Sequence, residues 1–129
     1  MRIYITSSFE DSPEEIEHLC SIVRSAGFHD FNFIRDVEYN KKVFDSLQDL
    51  MRRVQAEIEK SDALLVDMTD KPTGRMIAAG IAYSLGKKII IIMKRETQIK
   101  DTTKGIADVI IEYDKIQDIK SRLTSNLHL

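Results

Sequence analysis

Only one cysteine, two prolines and no tryptophan occur in this 129-residue chain, and it contains no long apolar run. A lone cysteine, Cys20, excludes an internal disulfide framework and fits a reducing compartment. No stretch approaches the ~18 consecutive apolar residues of a membrane span. The chain enters a strand at its start, so no signal peptide is expected, and a cytoplasmic protein that does not engage a membrane is. Basic excess is missing as well. Nineteen Lys and Arg against twenty-one Asp and Glu give a net charge of −2, which argues against a general nucleic-acid binder. The three histidines, His18, His29 and His128, are scattered without metal-ligand spacing, so neither a metal nor another cofactor is expected. No Gly-x-Gly-x-x-Gly follows the first strand, no Walker-type Gly-Lys-Ser/Thr loop occurs, and there is no Gly-x-Ser-x-Gly elbow.

What is present is an alternation of strand and helix signals around Ser61–Ile92. Ala63–Met68 is a short apolar run, followed by turn-forming residues from Thr69 to Gly74. Arg75–Leu85 is too long and too rich in small residues for a strand and stops at Gly86; Lys88–Met93 is β-branched and apolar. That is one crossover unit of a parallel sheet. Before it, Arg2–Thr6 reads as a first strand. Ser12, Pro13 and Glu15 carry the signature of a helix start, with Ile16, Leu19, Cys20, Val23 and Ala26 on one face and a stop at Gly27. On that face Cys20 is core filler rather than a nucleophile. Phe31–Arg35 is the second strand, at an edge. Tyr39–Lys60 has helical spacing at Val43, Leu47, Leu50, Met51, Val54 and Ile58. After the central unit come a polar loop, Arg95–Lys104, a fifth strand, Ala107–Tyr113, and a closing helix, Asp114–Asn126.

The expected fold is α/β: a three-layer, flavodoxin- or Rossmann-like domain spanning 1–129, with a five-stranded parallel sheet in the order 2-1-3-4-5. Ligands of such sheets sit beyond the carboxyl ends of the strands. The polar groups at those ends are Thr6, Ser7 and Ser8, then Asp67, Thr69 and Asp70, then Lys94 and Arg95. Gly74 opens the central helix, and Thr73 and Arg75 flank it. A cation in the first turn is disfavoured by the helix dipole, by about 0.3–1 kcal/mol. A bound anion, a salt bridge to Asp70 or solvent exposure would each offset that. Hydroxyls, backbone amides and an arginine on one rim suit a phosphate or sugar hydroxyls. A receiver-like reading would require adjacent acids directly after the first strand, where Thr6-Ser7-Ser8 stand instead.

These residues resemble the nucleoside 2-deoxyribosyltransferase superfamily, and most of all its 2'-deoxynucleoside 5'-monophosphate N-glycosidase branch. The opening Ile-Tyr-Ile-Thr-Ser-Ser is similar to the family's first strand and loop, where a tyrosine and, four residues on, a serine line the site; here these are Tyr4 and Ser8. Ser61-Asp62, the apolar strand, Gly74 to Ala82, and Leu85-Gly86-Lys87 follow the family's middle without a gap, and Gly105 to Asp108 and Tyr113-Asp114 resemble the monophosphate branch. The resemblance implies a nucleotide or sugar-phosphate ligand at Tyr4, Ser8 and Ala78, to which the strand ends and the start of the central helix add Ser7, Asp67, Thr73, Gly74 and Arg75. It also implies a homodimer or higher homo-oligomer, for which the charged helix with Phe44 and Met51 is a candidate surface. Two departures matter. Ala78 stands where the family has its catalytic glutamate, and Val54 where it has a second carboxylate. A methyl group neither attacks an anomeric carbon nor orients a water. The expectation is therefore a ligand-binding protein with lost or much reduced N-glycosidase activity. The alternative is an active enzyme with a relocated carboxylate, for which Glu57, Asp67 and Asp70 are the candidates.

Overall fold

In the computed structural model, residues 1–7, 10–38 and 44–127 are described. Five strands, β1 (Arg2–Ile5), β2 (His29–Asn32), β3 (Ala63–Asp67), β4 (Lys88–Lys94) and β5 (Val109–Tyr113), form one sheet. Every pairing is parallel and the order is β2-β1-β3-β4-β5, as expected. The helices are α1 (Pro13–Ser25), α2 (Leu47–Glu59), α3 (Gly74–Ser84), a short α4 (Asp101–Ile106) and α5 (Ile119–Asn126).

Both faces of the sheet are covered, and strand periodicity divides the core accordingly. Ile3, Ile5, Leu65, Ile90, Ile92 and Ile111 pack against Ile16, Cys20 and Val23 of α1 and Ile119 and Leu123 of α5. Their alternates, Tyr4, Leu64, Val66, Ile89 and Ile91, pack against Val54 and Ile58 of α2 and Ala78, Ala79 and Ala82 of α3. Cys20 is fully buried, and burial pushes its thiol up to about 12, which leaves it an inert core residue.

Local chemistry sets the helix limits. Ser12 Oγ accepts from the Glu15 amide at 3.1 Å while Glu15 Oε1 accepts from the Ser12 amide at 3.3 Å, closing the expected capping box. Gly27 and Gly86 take positive φ values of 99° and 73° just beyond α1 and α3, a conformation that costs glycine no Cβ clash. Several boundaries differ from expectation, β5 among them, which starts at Val109 rather than Ala107. β2 runs His29–Asn32 rather than Phe31–Arg35, because fully buried Asn32 turns the chain into a π-helical turn, Ile34–Glu38. Its amide nitrogen donates to the Ile5 carbonyl and to Ser7 Oγ, and its Oδ1 accepts from the Arg35 amide. α2 starts at Leu47, capped by Ser46, whose Oγ accepts from the Asp49 amide at 3.1 Å. The expected helical residues 39–43, Val43 among them, lie outside the described residues. α4 occupies part of the expected loop, and a 3-10 turn, Ile116–Asp118, precedes α5.

Glu57 has a structural part on α2. It is 4 % exposed and receives Arg2 Nη2 at 2.8 Å and Arg53 Nε at 2.7 Å, with Lys60 Nζ at 3.8 Å. Burial opposes its ionisation, but the hydrogen bonds from Arg2 and Arg53 prevail and hold its carboxyl below the ordinary glutamate range. A folded-state value below the unfolded one contributes stability that is complete above the unfolded value and lost as pH falls through the folded one. Urea unfolding is therefore expected to lose stability more steeply in the wild type than in Glu57→Gln between about pH 5 and about pH 3.

Candidate functional site

At the carboxyl ends of the strands two cavities open, one on each face of the sheet. The first, of about 380 Å³, lies on the α2/α3 side. Tyr4, Thr6 and Ser7 reach it from β1 and the following loop, Phe33 from just beyond β2, and Ile34 and Glu38 from the π-helical turn. Leu50, Met51 and Val54 present one face of α2, and Gly74, Arg75, Ile77 and Ala78 the first turns of α3. The second, of about 350 Å³, lies on the α1 side, and Asp11, Asp67, Thr69, Asp70, Lys94 and Tyr113 are among its lining residues. Thr6, Ser7 and Arg75 border both.

The expected site residues are thus divided. Tyr4, Ser7, Gly74, Arg75 and Ala78 share the α2/α3 cavity. Asp67 does not join them, because it shares the parity of Leu65 on β3 and so faces the α1 side. Thr73 is exposed, lines neither cavity and makes no side-chain cap for α3. Ser8 lies outside the described residues.

Arg75 is held by the chain itself. Its side chain is 16 % exposed; Nη2 donates to Asp11 Oδ2 at 3.2 Å and Nη1 to the Asp67 carbonyl at 3.3 Å. Of the three ways to offset the cation, a salt bridge is the one seen, made with Asp11 rather than Asp70, and it brings a carboxylate to the positive end of α3. Nε is buried and has no partner among the described residues.

Asp67 is likewise engaged. Its Oδ1 accepts from the Thr69 amide at 2.9 Å and from Thr69 Oγ1 at 2.6 Å, and its Oδ2 from the Tyr113 hydroxyl at 2.5 Å. Thr69 Oγ1 in turn accepts from the Lys94 amide at 2.9 Å. Burial, and then the bond to Asp67, push the Tyr113 phenol well above its ordinary range. This arrangement ties the ends of β3, β4 and β5 together.

Of the three acids proposed as relocated carboxylates, none lines the α2/α3 cavity: Glu57 is fixed by its ion pairs, and Asp67 and Asp70 face the other cavity. The acid that does line it is Glu38, which the sequence reading passed over. No pattern in the sequence marks a π-helical turn after a strand, so its last residue reads as loop. Burial raises the Glu38 carboxyl. Tyr4, 4 % exposed, has its phenol pushed up by burial first and then by the charges of Glu57 and Glu38, so it remains a protonated donor at neutral pH.

No family model matches the chain, and no curated protein matches it in sequence. Solved structures do match. The chain superposes on a CMP N-glycosidase, BcmB, from Clostridium botulinum with a TM-score of 0.74 and 20 % identity, covering 98 % of this chain and 100 % of that one. A 2-deoxyribosyltransferase from Bacillus psychrosaccharolyticus gives 0.70 at 18 % identity, covering 93 % and 90 %. The response regulator protein TrrA from Thermotoga maritima gives 0.60 at 16 % identity, covering 98 % of each chain. These likenesses show the fold. The superfamily that the motifs resemble stands among the structural neighbours, at higher TM-scores than the receiver-type protein.

Proposed function

We propose that this chain is a nucleoside 2-deoxyribosyltransferase-like protein that binds a 2'-deoxynucleoside 5'-monophosphate, or a related sugar phosphate, in the α2/α3 cavity. One observation carries the reading. A cavity of nucleotide size joins a donor-rich end, with Ser7, Arg75 and the start of α3 at Gly74, to apolar walls of Phe33, Ile34, Leu50 and Met51. Phosphate at the first end and base between the walls satisfies both chemistries. The unbroken motif spacing supports the same reading, as do neighbours with glycosidase and deoxyribosyltransferase activity.

Turnover by the family's route lacks its acids, because Ala78 and Val54 border the cavity with alkyl groups. Calorimetric titration with a panel of 2'-deoxynucleoside monophosphates is expected to give saturable binding, while chromatography finds free base near background. Rapid base release by the wild-type chain would instead favour the second reading, an active enzyme with a relocated carboxylate. The presence of Glu38 in the cavity keeps that reading in view.

Assembly belongs to the same proposal. Leu47, Met51 and Ile77 are exposed on adjoining faces of α2 and α3, at 78 %, 38 % and 60 %. Their burial between two copies would remove apolar surface from water beside the cavity mouth. Light scattering at micromolar concentration is expected to give at least twice the 14.8 kDa chain mass; a monomeric mass would refute the assembly.

A further inference from the structure

The α2/α3 cavity lacks acids at positions 78 and 54, yet it is not without one. Glu38 closes the π-helical turn and is the single Asp or Glu among the described residues that line this cavity. Among those residues, no hydrogen bond or ion pair reaches its carboxyl, whereas Glu57, Asp67 and Asp11 are each bonded within the chain. It also borders the shallow concavity formed by Phe44, Ser46, Leu47 and Leu50, which places it on the α2 side of the rim. Ser7 reaches the cavity from the loop after β1, and Gly74 and Arg75 from the start of α3. Half-buried beside apolar walls and without a partner among the described residues, this carboxyl has its acceptor oxygens open to a ligand in the cavity.

We infer that Glu38 is the ligand-contacting acid of this cavity, accepting a hydrogen bond from an N–H or O–H on the base-bearing end of a nucleotide whose phosphate lies at Ser7 and Gly74. The inference rests on the nucleotide reading above and deepens it. Donors at one end and an acid at the other give the cavity a polarity, and a nucleotide has the complementary one: an anionic phosphate, and a heterocycle edged with donors. The apolar side chains around Glu38 lower the local dielectric, which strengthens a hydrogen bond accepted there. A negative charge at that end also rejects the phosphate and so fixes the ligand's direction. Phe33, Ile34, Leu50 and Met51 offer the base apolar walls, and Glu38 reads its edge.

The test titrates the wild type, Glu38→Leu and Glu38→Gln with 2'-deoxynucleoside monophosphates of the four bases and with 2-deoxyribose 5-phosphate. Glu38→Leu is expected to weaken at least one nucleotide by about tenfold or more, the loss of a hydrogen bond to a charged acceptor. Binding of 2-deoxyribose 5-phosphate, which has no base, should stay within about twofold of the wild type. Glu38→Gln keeps the shape and one acceptor, and should weaken the same nucleotide by about threefold; it carries the comparison alone if Glu38→Leu does not fold. Equal nucleotide binding by the wild type and both variants would overturn the role of Glu38 and leave the nucleotide reading standing. Equal losses for nucleotide and sugar phosphate would also overturn it, because the acid would not be reading the base. Binding of no nucleotide by the wild type would overturn both readings together.

Discussion

Replacing Ala78 with glutamate is expected to raise release of free base from 2'-deoxynucleoside 5'-monophosphates at least about a hundredfold over the wild-type chain, the lower end of what a positioned acid or base contributes. Ala78 lies one helical turn beyond Gly74, and both border the same cavity. A glutamate there would carry its carboxylate to the place where the resemblance puts the nucleophile. Attack on the anomeric carbon would break the C–N bond, the base would leave with the bonding pair and take a proton, and water would then hydrolyse the glycosyl ester. Tyr4, protonated beside it, can donate to the new carboxylate. Val54, 7 % exposed on the apolar face of α2, supplies no second acid, which is why the lower end of the range is expected. An enzyme stripped of its nucleophile keeps only the rate that binding and electrostatics provide. Chromatography of matched reactions decides the matter; an unchanged trace for a folded, nucleotide-binding Ala78→Glu chain would show that the cavity does not hold the sugar in the family's way.

The largest effect on stability is expected at the sheet's centre. Ile91 is fully buried on β4, flanked by β3 and β5, and packs with Leu64 and Val66 toward α2 and α3. Ile91→Ala removes three carbons from a site closed on every side and should cost about 2–5 kcal/mol, lost transfer energy together with the cavity left behind. That is a large part of the about 5–15 kcal/mol that stabilises a typical domain. In urea the midpoint should fall with little change of slope. Ile110, its neighbour on the edge strand β5, is 36 % exposed, and its replacement by alanine should cost well under half as much.

Those two isoleucines illustrate what was readable beforehand. An unbroken apolar run such as Ile89–Met93 belongs to a strand covered on both faces, and Gly27 and Gly86 mark helix ends wherever a left-handed residue is needed. The capping residues Ser12 and Glu15 act within four positions of one another, so their pairing was legible as well. The parallel sheet followed from the alternating elements, and the order 2-1-3-4-5 is one that right-handed crossovers allow.

The site was less legible because it depends on long-range geometry. Arg75 pairs with Asp11, sixty-four positions away, rather than with nearby Asp70. The turn at Ile34–Glu38 arises from the buried amide of Asn32, whose partners Ile5 and Ser7 belong to a different strand and loop. The separation of Asp67 from Tyr4 was open to inference. Leu65 and Asp67 point one way from β3 and Leu64 and Val66 the other, so parity alone assigns Asp67 to the α1 side. What parity does not reveal is that Tyr113 waits there to bond it.

The measurement that bears most directly on the central claim is a crystal structure of the wild-type chain soaked with a 2'-deoxynucleoside 5'-monophosphate. The expected result is a nucleotide in the α2/α3 cavity, its phosphate at Ser7 and Gly74, its sugar beside Tyr4 and Ala78, and its base between the apolar walls within hydrogen-bond reach of Glu38. A nucleotide found instead against Asp67 and Tyr113 on the α1 side, or an empty α2/α3 cavity at saturating ligand, would contradict it.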